Sequence, residues 1–387
     1  MKIINLFFKK YWEKILLAII IIVVIVGIVN LSFRVYDKYR KNLINDPNWL
    51  RENVELVKNK EEIYEVKKDG DVSIFNKNYQ DIIEEKIDEL KDSSFYTLEK
   101  PLLIYNPFGT ANLSYYLYYT GNDENLEYKI ETEGYNSFEK EIEHKDGNEY
   151  QLMGFVPGKL NTLTLTSDNK TYRFAITTPK SETNIDTQFE VIDGSSNEKL
   201  TDGLYAVLGY DKNYNSNIYL YDNGGTLRNE LVLKSYRTDR IIFDDDYMYY
   251  AYKKNGIVKV NDLGKIEEFY DLGNYIMHHD MVYDKDNNRL VILVNEKNTD
   301  TIEDIVITLD LETKKVGKII DMKDLLPEFY LNAVKPEGKN TYGGDELDWI
   351  HLNSLSLIGN DIVLSSRELS TIIYVSELIQ NRLLNIY

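Results

Sequence analysis

The chain has no cysteine and only four histidines, His144, His278, His279 and His351, among 387 residues. The first absence excludes a disulfide scaffold, cysteine-ligated zinc, iron–sulfur ligation and thiolate nucleophiles. The second leaves so few imidazoles that each histidine mechanism can be weighed in turn. Positive charge is also scarce: 45 Lys and Arg face 64 Asp and Glu, a formal charge of −19. Holding a nucleic-acid backbone requires a clustered positive field, so no nucleic-acid partner is expected. Proline is rare, 7 residues against 32 tyrosines, which excludes a proline-rich rod and a wholly disordered chain. What remains is a folded protein with enough chain for two domains and accessory segments.

There is one long hydrophobic run. Residues 15–31 read ILLAIIIIVVIVGIVNL, polar only at Asn30, and as a helix they span roughly 25 Å, enough for a single membrane crossing. Tyr11 and Trp12 stand where interfacial aromatic anchors belong. The run is too long, and SFRVYDKYRK after it too bulky, for a cleaved signal peptide. Residues 1–14 then form a short tail and 15–31 a signal anchor. Residues 32–94, dense in charge of both signs with recurring Ile, Leu and Val, read as a helical stalk or linker.

From about residue 95 the pattern changes to short runs of Tyr, Leu, Thr and Val divided by NPFG, GND, KDGN and PGK. This predicts an all-β protein, with a small antiparallel, sandwich-like domain over 95–185. The tyrosines at 115, 116, 118 and 119 read as strand packing, and His144, in EKEIEHKDGNEY, as a solvated surface residue. After a linker at SETNIDTQF, repeated strand–turn–strand units over 186–387 favour a β-propeller. HHDMVYDKDNNRLVILVN and HLNSLSLIGNDIVLSS each place a histidine ahead of a turn and an apolar strand, as successive blades would. The GG of DNGGT reads as a hairpin turn, since no strand–loop–helix context supports a phosphate loop.

The chemistry concentrates in Tyr275-Ile-Met-His-His-Asp280, Asp348-Trp-Ile-His-Leu-Asn353 and Ser365-Ser-Arg367. Strand alternation points His278 and His279 to opposite sides and puts His351 and Asn353 on one face. Arg367, returned by the GND turn, completes an anion pocket: its guanidinium offers forked donors to an oxyanion, His a donor or a proton, and Asn a neutral donor.

With HHD at 278–280, DWIHLNS at 348–354 and SSR at 365–367, the chain resembles the arylsulfate sulfotransferase family, with support from LLIYNPFGT at 102–110 and YLYDNGGTLR at 219–228. The resemblance covers about 95–370. It implies a small N-terminal β domain joined to a six-bladed propeller, and transfer of a sulfuryl group from a phenolic sulfate donor to a phenolic acceptor through a histidine nucleophile. By the same resemblance His279 assists at the phenolic oxygen, with His278 its alternative, and His351, Asn353 and Arg367 stabilise the sulfuryl group. The catalytic set is then His279, His351 and Arg367, and the binding set Asn353, His278 and Arg367. No metal or other cofactor is required.

The sequence departs from the family pattern after SSR, where the nucleophilic histidine is expected: no His follows His351. Six blades of roughly 40 residues also need more chain than follows the linker. The expectation is therefore an incomplete, C-terminally truncated propeller, its open edge covered by a missing fragment or a second copy. Two alternatives stand beside it: a membrane-anchored, noncatalytic propeller that binds a ligand, and a divergent enzyme that recruits His279 or His351 as its nucleophile. Lys2, Lys9, Lys10 and Lys14 before the apolar run favour a cytoplasmic tail and an extracytoplasmic C-terminal part, though Arg34, Lys38, Arg40 and Lys41 follow it closely. Protease added to intact cells should degrade the part beyond residue 41; full protection would reverse the orientation.

Overall fold

The computed structural model describes residues 2–386 apart from 122–124, 146, 169, 193, 195–199, 235, 336, 341–343 and 377–382. Helix α1 (Lys2–Leu43) contains the apolar run, and its segment Leu16–Arg40 is exposed along its whole length. Those 25 residues rise about 37 Å, long enough to cross a hydrocarbon layer of about 30 Å. Asp46 caps α2 (Pro47–Asn53), its carboxylate accepting from the N–H groups of Asn48 and Trp49. The antiparallel strands β1 (Val54–Lys58) and β2 (Tyr64–Lys68) follow, then α3 (Lys77–Ser93), which buries Tyr79, Ile82, Ile83 and Ile87.

The strands β3 (Leu102–Tyr105), β4 (Tyr115–Tyr118), β5 (Leu126–Thr132), β6 (Phe138–Ile142), β7 (Glu149–Leu152), β8 (Leu160–Ser167) and β9 (Lys170–Thr177) complete two sheets, ordered β1-β2-β3-β4-β7 and β6-β5-β8-β9. Period-two alternation explains their packing. Leu103, Tyr115 and Leu117 face Ile130, Leu163 and Leu165 of the second sheet, while Leu102, Ile104 and Tyr116 face α2 and α3. Tyr115, Tyr116 and Tyr119 are buried core, as their strand context predicts. Residues 32–94, read as a helical stalk or linker, do contain helices, and in addition supply two strands, with the amphipathic α3 packed into the core. The reason is that the alternating charges of α3 occupy only its outer face. His144 is exposed, as expected.

The remaining sheets are antiparallel meanders consecutive in sequence. The first holds β10 (Leu204–Tyr210), β11 (Ser216–Asp222) and β12 (Leu227–Val232). The second holds β13 (Ile241–Asp244), β14 (Tyr247–Lys253), β15 (Gly256–Asn261) and β16 (Ile266–Asp271), and the third β17 (Tyr275–Asp284), β18 (Arg289–Glu296), β19 (Ile305–Asp310) and β20 (Val316–Asp321). Two short helices, α4 (Met322–Leu325) and α5 (Pro327–Asn332), precede the fourth, β21 (Leu352–Ile358), β22 (Asp361–Ser366), β23 (Thr371–Ser376) and β24 (Leu383–Ile386).

Successive meanders pack face to face. Tyr250, Val258 and Val260 meet Ile218 and Leu231 on one side of the second sheet, while Tyr249, Ala251 and Ile257 meet Leu290, Ile292 and Ile307 on the other. Val291, Leu293 and Val306 then meet Leu352, Leu355 and Leu364 of the fourth. A strand buried on both faces must be apolar at consecutive positions, which is what RLVILVN at 289–295 provides.

DNGGT forms the β11–β12 turn, where Gly225 has φ +77° and an added Cβ would meet the Phe189 carbonyl oxygen at 2.6 Å. Asp222 in that turn accepts from fully buried Arg228 at 2.6 Å, and the guanidinium also donates to the carbonyls of Gly154 (2.8 Å) and Asn136 (2.6 Å). This pins the first meander to the preceding sheets. Replacing Arg228 by Met strands those acceptors, so urea unfolding should show a loss of about 3–5 kcal/mol, and the Asp222→Asn/Arg228→Met pair should lose less.

Candidate active site

Two of the sequence-predicted histidines meet where three successive meanders begin. In β17 the register jumps from Met277 opposite Val294 to Met281 opposite Ile292, so residues 278–280 form a bulge opposite Leu293 alone. His279 within that bulge has φ +51°. His351 immediately precedes β21 with φ +50°, and Asn353 is the extra residue of a second bulge. Glu303, just ahead of β19, has φ +59°. Left-handed backbone at a non-glycine residue costs about 1–3 kcal/mol and tends to accumulate at functional sites. Here three such residues converge.

The Nε2 atoms of His279 and His351 lie 3.1 Å apart. His351 Nδ1 donates to Asp348 Oδ2 at 2.6 Å and also contacts Glu303 Oε2. Glu303 Oε1 lies 3.5 Å from His279 Nε2, so one carboxylate bridges both rings. The side chain of Glu303 is 0% exposed, that of His351 4% and that of His279 29%. The site is therefore sealed from below and open at His279. Hydrogen bonding to Glu303 raises the His279 pKa, and burial raises that of Asp348 against the opposing hydrogen bond from His351. His278 is wholly buried, and desolvation lowers it to about 3, which keeps that ring neutral.

The backbone fixes these side chains. Asn295 Oδ1 accepts from the Glu303 N–H at 2.5 Å, and the Glu303 carbonyl accepts from Leu352 at 2.9 Å. The carbonyls of His351 and Ile350 accept from Arg367 N–H and the Ser366 hydroxyl at 3.0 and 2.5 Å. From the second meander, Asp239 Oδ2 accepts from His279 N–H at 3.3 Å.

Several expected placements change. His351 is buried and Asn353 exposed, because His351 lies outside β21 and Asn353 sits in its bulge, so strand alternation does not run through them. Arg367 lies beside the cluster, but its guanidinium engages Asp348 at 3.3 Å and Glu368 at 2.7 and 2.9 Å. Its fork faces carboxylates here, not an open anion cradle. Asp280 of the HHD run is a structural bracket: its carboxylate accepts from Met281 N–H and, across to the fourth sheet, from Leu355 N–H, both at 3.0 Å. Glu303 and Asp348 had no assigned role from sequence. Asp348 could have been read from its i−3 spacing to His351, whereas nothing local in TIEDIVITLD distinguishes Glu303 from Asp304.

A cavity of 580 Å³ opens against Asp348, walled by Phe329, Val334, Trp349 and Leu369 and edged by Glu328 and Glu368. Another, of 320 Å³ beside α3, shares no lining residue with the cluster, and its Lys91, Lys145, Glu149 and Asp262 pair among themselves.

Residues 190–381 match the family model described as Arylsulfotransferase (ASST). The arylsulfotransferase match contains His279, Glu303, Asp348, His351 and Arg367, and it begins close to the expected linker. No curated protein matches the chain significantly. Among solved structures, similarity extends to a nidogen/laminin complex (8% identity, 68% of this chain and 93% of that one, TM-score 0.31). It also extends to the designed Ika8 protein (12%, 65% and 68%, 0.26) and to a putative 6-phosphogluconolactonase from Bacteroides fragilis NCTC 9343 (9%, 69% and 99%, 0.24). Those TM-scores are too low to carry an argument about either part of the chain.

The bracket role of Asp280 can be measured. Asp280→Ala leaves two backbone donors without their acceptor and should lower stability by about 1–3 kcal/mol in urea unfolding, while Asp280→Asn, which keeps one acceptor oxygen, should lose less.

Proposed function

We propose that residues 186–387 form a propeller-type arylsulfotransferase unit, carried on the 95–185 β domain and anchored by α1 with its C-terminal part outside the cytoplasm. The His279–His351 cluster takes a phenolic sulfate. Two findings support this reading together: the arylsulfotransferase match over 190–381, and the 3.1 Å approach of two Nε2 atoms inside it. Four consecutive meanders packed face to face suit blades about an axis, with the cluster at the blade starts.

The chemistry follows from the tautomer. Donation from Nδ1 to Asp348 leaves the lone pair of neutral His351 on Nε2, the nitrogen that faces His279. Attack by that nitrogen on sulfur forms an N–S bond as the S–O(aryl) bond breaks, and protonated His279 gives its proton to the departing phenolic oxygen. An acceptor phenol reverses the sequence: its oxygen bonds to sulfur, the N–S bond breaks and His279 recovers a proton. The cavity beside Asp348 has an apolar wall, Phe329 and Trp349, for the aryl group and carboxylates of Glu328 and Glu368 at its edge, and Arg367 meets sulfuryl oxygens if it leaves Asp348.

A second reading has its own support. Because Arg367 is held by Asp348 and Glu368, the same pocket is suited to binding a ligand without transferring a group from it.

Incubation with 4-nitrophenyl sulfate followed by intact-mass analysis separates the two. Transfer through this cluster predicts a sulfuryl adduct localised to His351, absent in His351→Ala, and a His279→Ala variant slower by about 10²–10⁴-fold in nitrophenol release. Saturable binding with neither adduct nor turnover favours the noncatalytic protein.

A further inference from the structure

We infer that the loop at 236–240 and the end of β10 form an aromatic-anion subsite beside His279, with Arg237 taking the anionic group and Tyr210 the ring. The sequence reading gave anion binding to Arg367 alone among the arginines, and YRTDR at 236–240 received no role. The fold brings that loop to the β17 bulge. Tyr236 donates its hydroxyl to the Met277 carbonyl at 2.5 Å, and Arg240 Nε lies 3.5 Å from Asp280 Oδ1. Between them Asp239 divides its carboxylate: Oδ1 accepts from Arg237, and Oδ2 from His279 N–H at 3.3 Å. A single carboxylate thus links Arg237 to the backbone of the histidine that faces His351.

Three features favour a ligand here. The first is availability. Arg367 is held through Nε and Nη2 by two carboxylates, Asp348 and Glu368. Arg237 is exposed and engages only Asp239, through Nη2; its Nε and Nη1 make no hydrogen bond to another described residue, which leaves donors for the oxygens of an anion. The second is the aromatic neighbour. The Arg237 guanidinium carbon lies 5.8 Å from the centroid of the Tyr210 ring, and Tyr210 meets Tyr214 at 6.3 Å with the rings tilted. Both tyrosines are exposed. Tyr214 has φ +63° in a turn braced by Asp211, which accepts from the N–H groups of Asn213 and Asn215 at 2.8 and 2.7 Å. Exposed tyrosines held in this way offer an aryl group apolar contact. The third is charge. YRTDR brings two guanidiniums and one carboxylate to the bulge of a protein of charge −19. Their field reaches the site: hydrogen bonding to Glu303 and the Asp239 charge raise the His279 pKa, and the Arg237 charge opposes them.

The inference takes the identity of the ester from the arylsulfotransferase reading, but its residues belong neither to the proposed nucleophile and acid nor to the cavity beside Asp348. The full-length protein in detergent is titrated by calorimetry with 4-nitrobenzenesulfonate, an aryl anion whose C–S bond gives no group to transfer. Saturable binding is expected, competed by 4-nitrophenyl sulfate and weakened by added salt. Arg237→Ala should weaken it about 10–100-fold, Arg237→Lys less, and Tyr210→Ala about 2–10-fold. Neutral nitrobenzene should bind Arg237→Ala as it binds wild type. In nitrophenol release the Arg237→Ala loss should fall on KM with kcat nearly unchanged; a fall in kcat at unchanged KM makes Arg237 only a support for His279 and overturns the subsite. If Arg237→Ala does not fold, Arg237→Lys and the salt dependence of wild type still read the charge, and salt-independent binding overturns the subsite. Binding that depends on Arg237 in protein inert toward aryl sulfates upholds the subsite and overturns only the transfer mechanism. No binding by wild type, or equal binding by Arg237→Ala, overturns the subsite, and in the second case intact turnover leaves the transfer reading standing.

Discussion

A carboxylate with no solvent exposure is tolerable only if its surroundings return what dehydration removes, and Glu303 meets that condition through two histidines from different sheets. The bridge sets the spacing between rings that local sequence cannot relate. It also accounts for much of the irregular backbone nearby: His279, Glu303 and His351 can converge only if each leaves regular strand geometry, and each does so at positive φ. The cost of that conformation is offset by bringing two imidazoles to a buried carboxylate.

The stack of meanders provides the rigid support. Inner sheets buried on both faces fix strand positions, and the irregularities that carry the site fall in the first strand of a sheet, at the β17 bulge and the entrance to β21. His279 lies in a bulge of one sheet, His351 at the entrance to the next, and Asp239 just before the first strand of the preceding one. The Asp280 carboxylate ties the first two together across sheets. A site built from strand irregularities on packed sheets is open on one side and held on the others, a suitable arrangement for binding a small ligand. A protein of charge −19 must concentrate positive charge at such a site to attract an anion. In this structure the guanidinium of Arg367, beside the cluster, is turned to carboxylates.

Much of the framework was legible from the residues. The apolar run gave a long exposed helix, the tyrosine-rich alternation gave buried strands, and the two similar His-containing segments gave equivalent places in successive meanders. Two expectations needed revision for different reasons. The stretch at 32–94 reads as a helical stalk or linker because charge dominates its composition; its helices are there, but α3 segregates that charge to one face and packs its other face into the core. His351 and Asn353 read as neighbours on a strand face because alternation assumes regular pairing, whereas a bulge separates them.

By itself the sequence determined the chemical inventory: no thiols, four imidazoles, one membrane-length apolar segment and a chain otherwise committed to short strands. It also narrowed the site to HHD, DWIHLN and SSR. Only tertiary structure decided which of those residues share a pocket, that Asp280 braces the backbone, and that Glu303, unremarked in its own segment, stands between the histidines. Composition and period specify what each strand buries on its faces; they carry no information about which loops meet where separate sheets converge.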